Sequence, residues 1–412
     1  MEIALTILVI GLLVFLAHGL TALFTKTQIP DVLILFGIGL VLGPITHLLA
    51  PEVFGKVGPV FTTITLVIIL FESGLGLDIR SLLTSLKGAL LISFLFFIVT
   101  TLIVAGIAWA LTGLNLFTSL MLGCILGGTS SAVVIPIVQQ LKPGATTSNI
   151  LIIESALTDV FCIIFTLGLL EAVKIGEFEL ASLSIKLSAS FLVALLIGLA
   201  GGVFWSMLLN RIRHLQNSIF TTPAFVFILF GVAEILGFSG AIASLAFGFT
   251  LSNTETKGFR FLQKYIRKEP ISLSPTEKAI FSEVVFLLKT FFFIYIGMSM
   301  QFKDMWLLFI GLVMTLAIFF MRPFFVRLLA SRQQTQRDLT IESVLIPKGL
   351  AAAVLATVPL QAGIAGGETI QNITYSVVLI SIVVASILVL LIERTPVKKL
   401  YFSLFKKHAI PT

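Results

Sequence analysis

Apolar residues in this chain come in long runs broken by short polar stretches, not in alternating strands or narrow amphipathic stripes. A helix needs about 20 such residues to cross the hydrocarbon core of a bilayer. About thirteen runs approach that length, near residues 3–23, 30–50, 58–76, 87–112, 117–141, 148–173, 181–209, 219–237, 239–253, 279–300, 304–330, 339–362 and 372–393. The pattern predicts an all-α polytopic membrane protein of about 13 transmembrane helices. The first run lacks a basic leading segment and exceeds the apolar core of a signal peptide, so it reads as an anchored span. No soluble domain is expected on either side of the membrane part, and the stretch after Glu393 reads as one short helix.

The two halves echo each other. Pro30 to Pro44 matches Ser239 to Asn253 in character, Gly74-Leu-Gly-Leu77 matches Gly297-Met-Ser-Met300, and the break at Gly127-Gly-Thr-Ser-Ser131 matches Pro347-Lys-Gly349. Each pair is offset by roughly 210–220 residues, the mark of inverted repeats with an interrupted helix in each half. Irregular backbone is tolerated at membrane depth only where protein buries it or a wet cavity receives it. The freed helix ends carry partial charges that hold ions. Two ordinary proline or glycine kinks are the alternative.

Composition agrees with the pattern. Hydrophobic residues make up 58% of 412 and charged residues 11%, against about 25% charged in a soluble domain. The net charge of +7 is a topology signal and not a nucleic-acid footprint. With the N-terminus outside and the C-terminus cytoplasmic, the internal loops hold nearly all the lysines and arginines, most densely from Lys257 to Lys278. External loops hold only Lys56, Lys174 and Lys303. The basic loop is expected to be a solvated connector, or else an element lying on anionic lipid. Cys124 and Cys162 sit inside apolar runs and imply no disulfide framework. No cofactor is expected, nor any enzymatic chemistry.

Ionisable groups inside a span cost roughly 2.5–3.5 kcal/mol each, so they face the bundle interior and serve a purpose. The sixth run places Glu154 and Asp159 in one apolar helix, with Ser155 one turn before Asp159 on the same face and Thr158 in the adjacent row. An acid permanently paired with a cation stays ionised and structural, whereas an unpaired one can exchange its charge for a proton. Arg322, Lys289 and Lys348 are the candidate cations within the runs. Arg322 suits a fixed pair with Glu154, because arginine does not deprotonate. Asp159 is then the titrating group. The alternative is that both acids make static bridges. Lys289 is an alternating partner of an acid such as Glu283 or Glu72, a static partner, or a side chain that snorkels toward the interface. Glu72, Glu234 and Glu283 read as interfacial or scaffold groups, and His18 as a packing residue.

The signature Glu154-Ser155-x-x-Thr158-Asp159 resembles that of the NhaP-like branch of the monovalent cation:proton antiporter superfamily. So do Pro30–Pro44, Phe71-Glu-Ser-Gly-Leu75, Gly128-Thr-Ser-Ser-Ala-Val, Arg322-Pro-Phe-Phe-Val326 and Pro347-Lys-Gly349, in the family's order along the whole chain. The segment around Lys289 also resembles the Kef-type potassium-efflux relatives. The resemblance implies an NhaA-like antiporter fold with two crossed broken helices, assembled as a homodimer in the inner (plasma) membrane. It divides the chain into scaffold spans (1–86), core spans (87–180), linker and scaffold spans (181–300), core spans (301–393) and a cytoplasmic tail (394–412). It assigns monovalent cation and proton binding to Asp159, with Ser155, Thr129, Ser130 and Thr158 around it. It also pairs Glu154 with Arg322 and gives Lys348 the role of neutralising helix ends at the crossing. The chain departs from the family pattern in having Thr158 for Asn, Ser130 for Asp and Lys348 for Arg.

These readings predict antiport of protons against a monovalent cation, Na⁺ first and K⁺ or Li⁺ next, by elevator-type alternating access. One exchanging acid beside a fixed ion pair predicts one proton per cation, hence electroneutral exchange. The competing readings are a sodium-coupled carrier of a small solute and a channel or sensor of the same fold.

Overall fold

The computed structural model describes residues 31–48, 57–76, 87–175, 180–212, 220–253, 273–300, 304–329 and 334–394, with isolated positions between 11 and 19 and at 402 and 405. Most of the first apolar run, the basic stretch from Lys257 to Lys268 and most of the tail lie outside the described residues. All regular elements within them are helices: α1 (Asp31–Leu40), a π turn (Val41–Ile45), α2 (Val57–Leu75), α3 (Lys87–Leu111), α4 (Leu116–Leu126), α5 (Ser131–Leu141), α6 (Ala145–Ile175), α7 (Leu180–Ile212), α8 (Thr221–Ile235), α9 (Gly240–Asn253), α10 (Pro275–Ser299), α11 (Met305–Leu329), α12 (Gln336–Val344), α13 (Leu350–Leu355), α14 (Thr357–Gln361) and α15 (Gly367–Arg394).

Seven of the segments are long and apolar enough to cross a membrane, and four shorter apolar segments accompany them. Many side chains on these helices point outward and are apolar. Leu102, Phe204, Ile228, Leu316 and Phe320 are all more than half exposed, the reverse of a soluble surface and the expected face toward lipid.

Local sequence accounts for the ends and irregularities. Pro44 has no N–H to continue α1, and the chain widens into a π turn in which the Thr46 N–H reaches the Val41 carbonyl at 3.1 Å. α10 begins with Pro275 behind a capping box of Ser274 and Glu277, and α12 begins with a second one, Thr335 and Asp338. The apolar pattern placed the twelfth run at 339, whereas the helix starts three residues earlier at Gln336.

The repeat is visible in the packing. A Cβ on Gly39 of α1 would lie 2.9 Å from the Cα of Gly297 on α10, and a Cβ on Gly74 of α2 would lie 3.1 Å from the Cα of Gly248 on α9. In the sequence repeat, Gly39 corresponds to Gly248 and Gly297 to Gly74. The flanking carbonyls also correspond: Gly39 abuts that of Ile294, and Gly248 that of Phe71. Each half therefore seats its second helix on the third helix of the other half through glycine, where backbones touch. α9 is buried on nearly every side, with Ala241, Ala243, Ser244 and Ala246 in the close-packed positions. Gly248→Val is expected to lower stability by about 1–3 kcal/mol through overpacking. Gly231→Val, where an added carbon meets nothing within 4 Å, is the control in thermal unfolding of the purified protein.

The buried apolar residues form two clusters. One joins Phe71, Trp205, Val226, Phe247 and Phe281 from α2 and α7–α10. The larger one joins residues of α1–α7, α9–α13 and α15 around the two interrupted helices.

Candidate functional site

Helix α4 stops at Leu126 and α5 starts at Ser131, leaving Gly127 to Ser130 irregular. Helix α12 stops at Val344 and α13 starts at Leu350, leaving Leu345 to Gly349 irregular. The two breaks cross in contact. The Ser130 N–H donates to the Pro347 carbonyl at 2.8 Å, and the Lys348 ammonium donates to the Gly128 carbonyl at 2.7 Å. The Lys348 N–H donates to the Ser381 hydroxyl of α15 at 2.9 Å. Glycine is needed on both strands of the crossing. A Cβ on Gly349 would collide with the Ser130 side chain, and one on Gly128 would lie 2.6 Å from Cys162 Sγ and 3.0 Å from the Thr158 carbonyl. Four helix ends converge here, two of each polarity, and the lysine ammonium sits against a freed carbonyl of α4.

Asp159 faces this crossing from α6. The Ser131 hydroxyl at the start of α5 donates to its Oδ2 at 2.7 Å. Among the described residues no basic side chain is within ion-pair distance of Asp159. The hydroxyls named from sequence divide into two groups. Thr158 accepts the Thr129 N–H at 3.0 Å and donates to the Ser155 carbonyl at 3.3 Å, so it pins the break to α6. Ser155 donates to the Ile152 carbonyl of its own helix at 3.0 Å. Thr129 Oγ1, by contrast, is buried at the crossing with no hydrogen-bond partner. Ser130 is buried against Gly349. Ser131, the hydroxyl that touches the acid, was not singled out from sequence.

Glu154 lies five residues from Asp159 on α6, about 1.4 turns, and is fully engaged. Arg322 of α11 grips both carboxylate oxygens, at 2.5 and 2.7 Å, and both side chains are 2% exposed. The guanidinium also donates through Nε to the Glu342 carbonyl at 3.1 Å and lies 4.3 Å from the centre of the Phe96 ring. A planar fork on a carboxylate with an aromatic face behind it is the geometry arginine serves and lysine does not. Beyond this pair, Gln334 donates to Glu342 Oε2 at 2.7 Å and to Thr147 at 2.9 Å. The Gly144 N–H donates to Asp338 at 2.9 Å. This buried network ties the start of α12 to the start of α6.

Lys289 and Glu72 act on each other electrostatically across α10 and α2. Glu283 is instead 3.8 Å from His18, whose ring packs edge-on against Phe286.

The family model described as "Sodium/hydrogen exchanger, transmembrane" matches residues 10–392. The chain belongs to this family. Over 332 residues it is 24% identical to the K(+)/H(+) antiporter NhaP2 of Shewanella sp. (strain MR-4), an alignment covering 78% of this chain and 55% of the relative. The chain spans about half the length of these curated relatives. It is 26% identical over 385 residues to Na(+)/H(+) antiporter 1 of Methanocaldococcus jannaschii, covering 86% of this chain and 83% of that one. These relatives place it in the NhaP-like branch of the exchanger family. The structure of the sodium proton antiporter MjNhaP1 from Methanocaldococcus jannaschii at pH 8 matches with a TM-score of 0.72 at 20% identity, over 94% of this chain and 100% of that one. That likeness shows a common fold.

Proposed function

We propose that the chain exchanges protons for a monovalent cation by alternating access, with proton and cation competing for Asp159. The observation that carries this reading is the contrast between two acids on one helix. Glu154 is locked to Arg322, whereas Asp159 is held by hydrogen bonds from Ser131, with no ion pair among the described residues, and stands at the crossed breaks beside Thr129 Oγ1, which has no hydrogen-bond partner. A hard cation wants several oxygens. Asp159, Ser131 and Thr129 offer them first, with Ser130, Ser155, Thr158 and freed carbonyls completing the shell as the break shifts. Lys348 balances charge at the helix ends when the cation is absent.

Exchange follows from the cost of moving a bare charge. The carboxylate alone is too costly to carry past an apolar barrier, while its protonated or cation-bound form is neutral. In this reading the segments 87–180 and 301–393 move as one body against 1–86 and 181–300, in an elevator motion, and two copies pair through the scaffold. Na⁺ is the expected ion, in line with the family description and the Methanocaldococcus jannaschii relative; K⁺, for which the Shewanella relatives are named, and Li⁺ come next. Lys289 is an accessory charge of the scaffold.

The test is proton flux in sealed proteoliposomes that carry an internal pH dye and a preset pH difference. Adding Na⁺, K⁺ or Li⁺ outside is expected to dissipate the gradient, and an imposed membrane potential is expected to leave the rate unchanged. Absence of cation-dependent flux from folded, inserted protein would overturn antiport. A rate that follows the potential would overturn one-for-one exchange.

A further inference from the structure

Where the C-terminal ends of α2 and α9 meet the first turns of α10, the described residues line a half-open cavity of about 260 Å³. Among the described residues four polar side chains line it: Glu72 from α2, Ser252 from α9, and Lys278 and Ser282 from α10, against apolar walls that include Leu251 and Phe281. Among the described residues none of the four has a hydrogen bond or an ion pair through its side chain. Lys289 acts on Glu72 electrostatically. A carboxylate and an ammonium thus share one cavity without closing on each other. Glu72 belongs to the Phe71-Glu-Ser-Gly-Leu75 motif, which the exchange site does not use.

The walls are polarised. Lys278 and Ser282 are one turn apart on α10, so ammonium and hydroxyl share a face. They lie near the positive end of that helix, which favours an anion. Glu72 and Ser252 lie in the last turns of α2 and α9, where freed carbonyls favour a cation. We propose that this cavity binds a zwitterion with a primary ammonium and a phosphate, the chemistry of ethanolamine phosphate. The phosphate sits at Lys278 and Ser282, and the ammonium at Glu72. A quaternary ammonium has no N–H to give Glu72 and prefers an aromatic cage, whereas Phe281 supplies the one aromatic ring among the described lining residues. A purely anionic group would leave Glu72 facing like charge. The ligand is either a lipid headgroup or the free zwitterion, and in both cases it would cross-brace the three helices beside the Gly74–Gly248 contact.

The experiment is thermal unfolding of the delipidated full chain in detergent, titrated separately with short-chain phosphatidylethanolamine, phosphatidylcholine, phosphatidylglycerol and soluble phosphoethanolamine. A ligand of the folded state raises the midpoint saturably. Phosphatidylethanolamine or phosphoethanolamine is expected to do so at concentrations at least about ten-fold below the other two lipids. Glu72→Gln and Lys278→Gln are each expected to weaken the response by about ten-fold or more, the worth of one charge-assisted hydrogen bond. A response to the lipid alone assigns a headgroup site. A response to soluble phosphoethanolamine as well assigns a site for the free zwitterion. Equal responses to all three lipids, no response to either ethanolamine compound, or responses unchanged by the substitutions would each overturn the proposal. Lys278 is exposed, so Lys278→Gln remains informative should Glu72→Gln fail to fold.

Discussion

Asp159→Asn is expected to abolish cation-coupled proton flux while leaving a folded, correctly inserted protein. The amide keeps the shape of the carboxyl and still accepts the Ser131 hydroxyl, which donates to Oδ2 at 2.7 Å. It can neither take a proton near neutral pH nor neutralise a cation. The neutral side chain also removes the cost of moving an empty site, so the coupling is lost along with the binding. Ser131→Ala separates this from a general disturbance of the crossing. It keeps the acid and removes one charge-assisted hydrogen bond worth about 1.5–3 kcal/mol, so exchange persists with a changed apparent affinity for the cation. Initial rates against cation concentration in proteoliposomes distinguish the two. Flux that survives in Asp159→Asn would mean that another acid carries the proton.

Arg322→Met is expected to be the most destabilising single change in the core. Both oxygens of Glu154 depend on this guanidinium, and the pair is 2% exposed, so its loss strands a buried carboxylate at a cost of about 3–5 kcal/mol. The Nε bond to the Glu342 carbonyl and the contact with Phe96 go as well. Combining Arg322→Met with Glu154→Gln removes the stranded charge, and the double variant is expected to be more stable than Arg322→Met alone. Arg322→Lys retains the charge but not the fork, and falls between. Thermal unfolding of the purified proteins in detergent reads the order. A double variant no more stable than the single one would mean that Arg322 holds the core by packing and not by charge.

The acids were legible in the sequence because a charge within an apolar run has few roles. Glu154, Asp159 and Arg322 stood out for that reason, and the pairing of Glu154 with Arg322 follows from which cation cannot deprotonate. The long apolar runs and the paired glycine-containing breaks gave the helical architecture and the repeat. The hydroxyl that touches Asp159 was not legible. Thr129, Ser130 and Ser131 are consecutive, and which of them faces α6 depends on how the chain turns between α4 and α5, a tertiary property. Sequence favoured Thr129 and Ser130, whereas Ser131 makes the contact.

The network of Thr147, Gln334, Glu342 and Asp338 was missed because α12 is a polar helix buried in the bundle. Hydropathy marks the start of an apolar run and not the start of a buried helix. One signal was available: Thr335-x-x-Asp338 has the spacing of a capping box, and both of its hydrogen bonds are present. The cavity beside Glu72 had no sequence signal at all, since it arises where three helix ends happen to meet.

The exchanged glycine contacts bear on how the chain is made. Gly39 leaves the ribosome well before the surface it seats on, Gly297. At about 5–20 residues per second, synthesis of the stretch between them takes roughly 13–50 s. Through that interval α1 has no native partner at its glycine face, and α2 waits in the same way for α9. The first half is therefore expected to remain a loose set of inserted helices until α10 is translated. A chain truncated before Gly297 would be the natural substrate of membrane quality control.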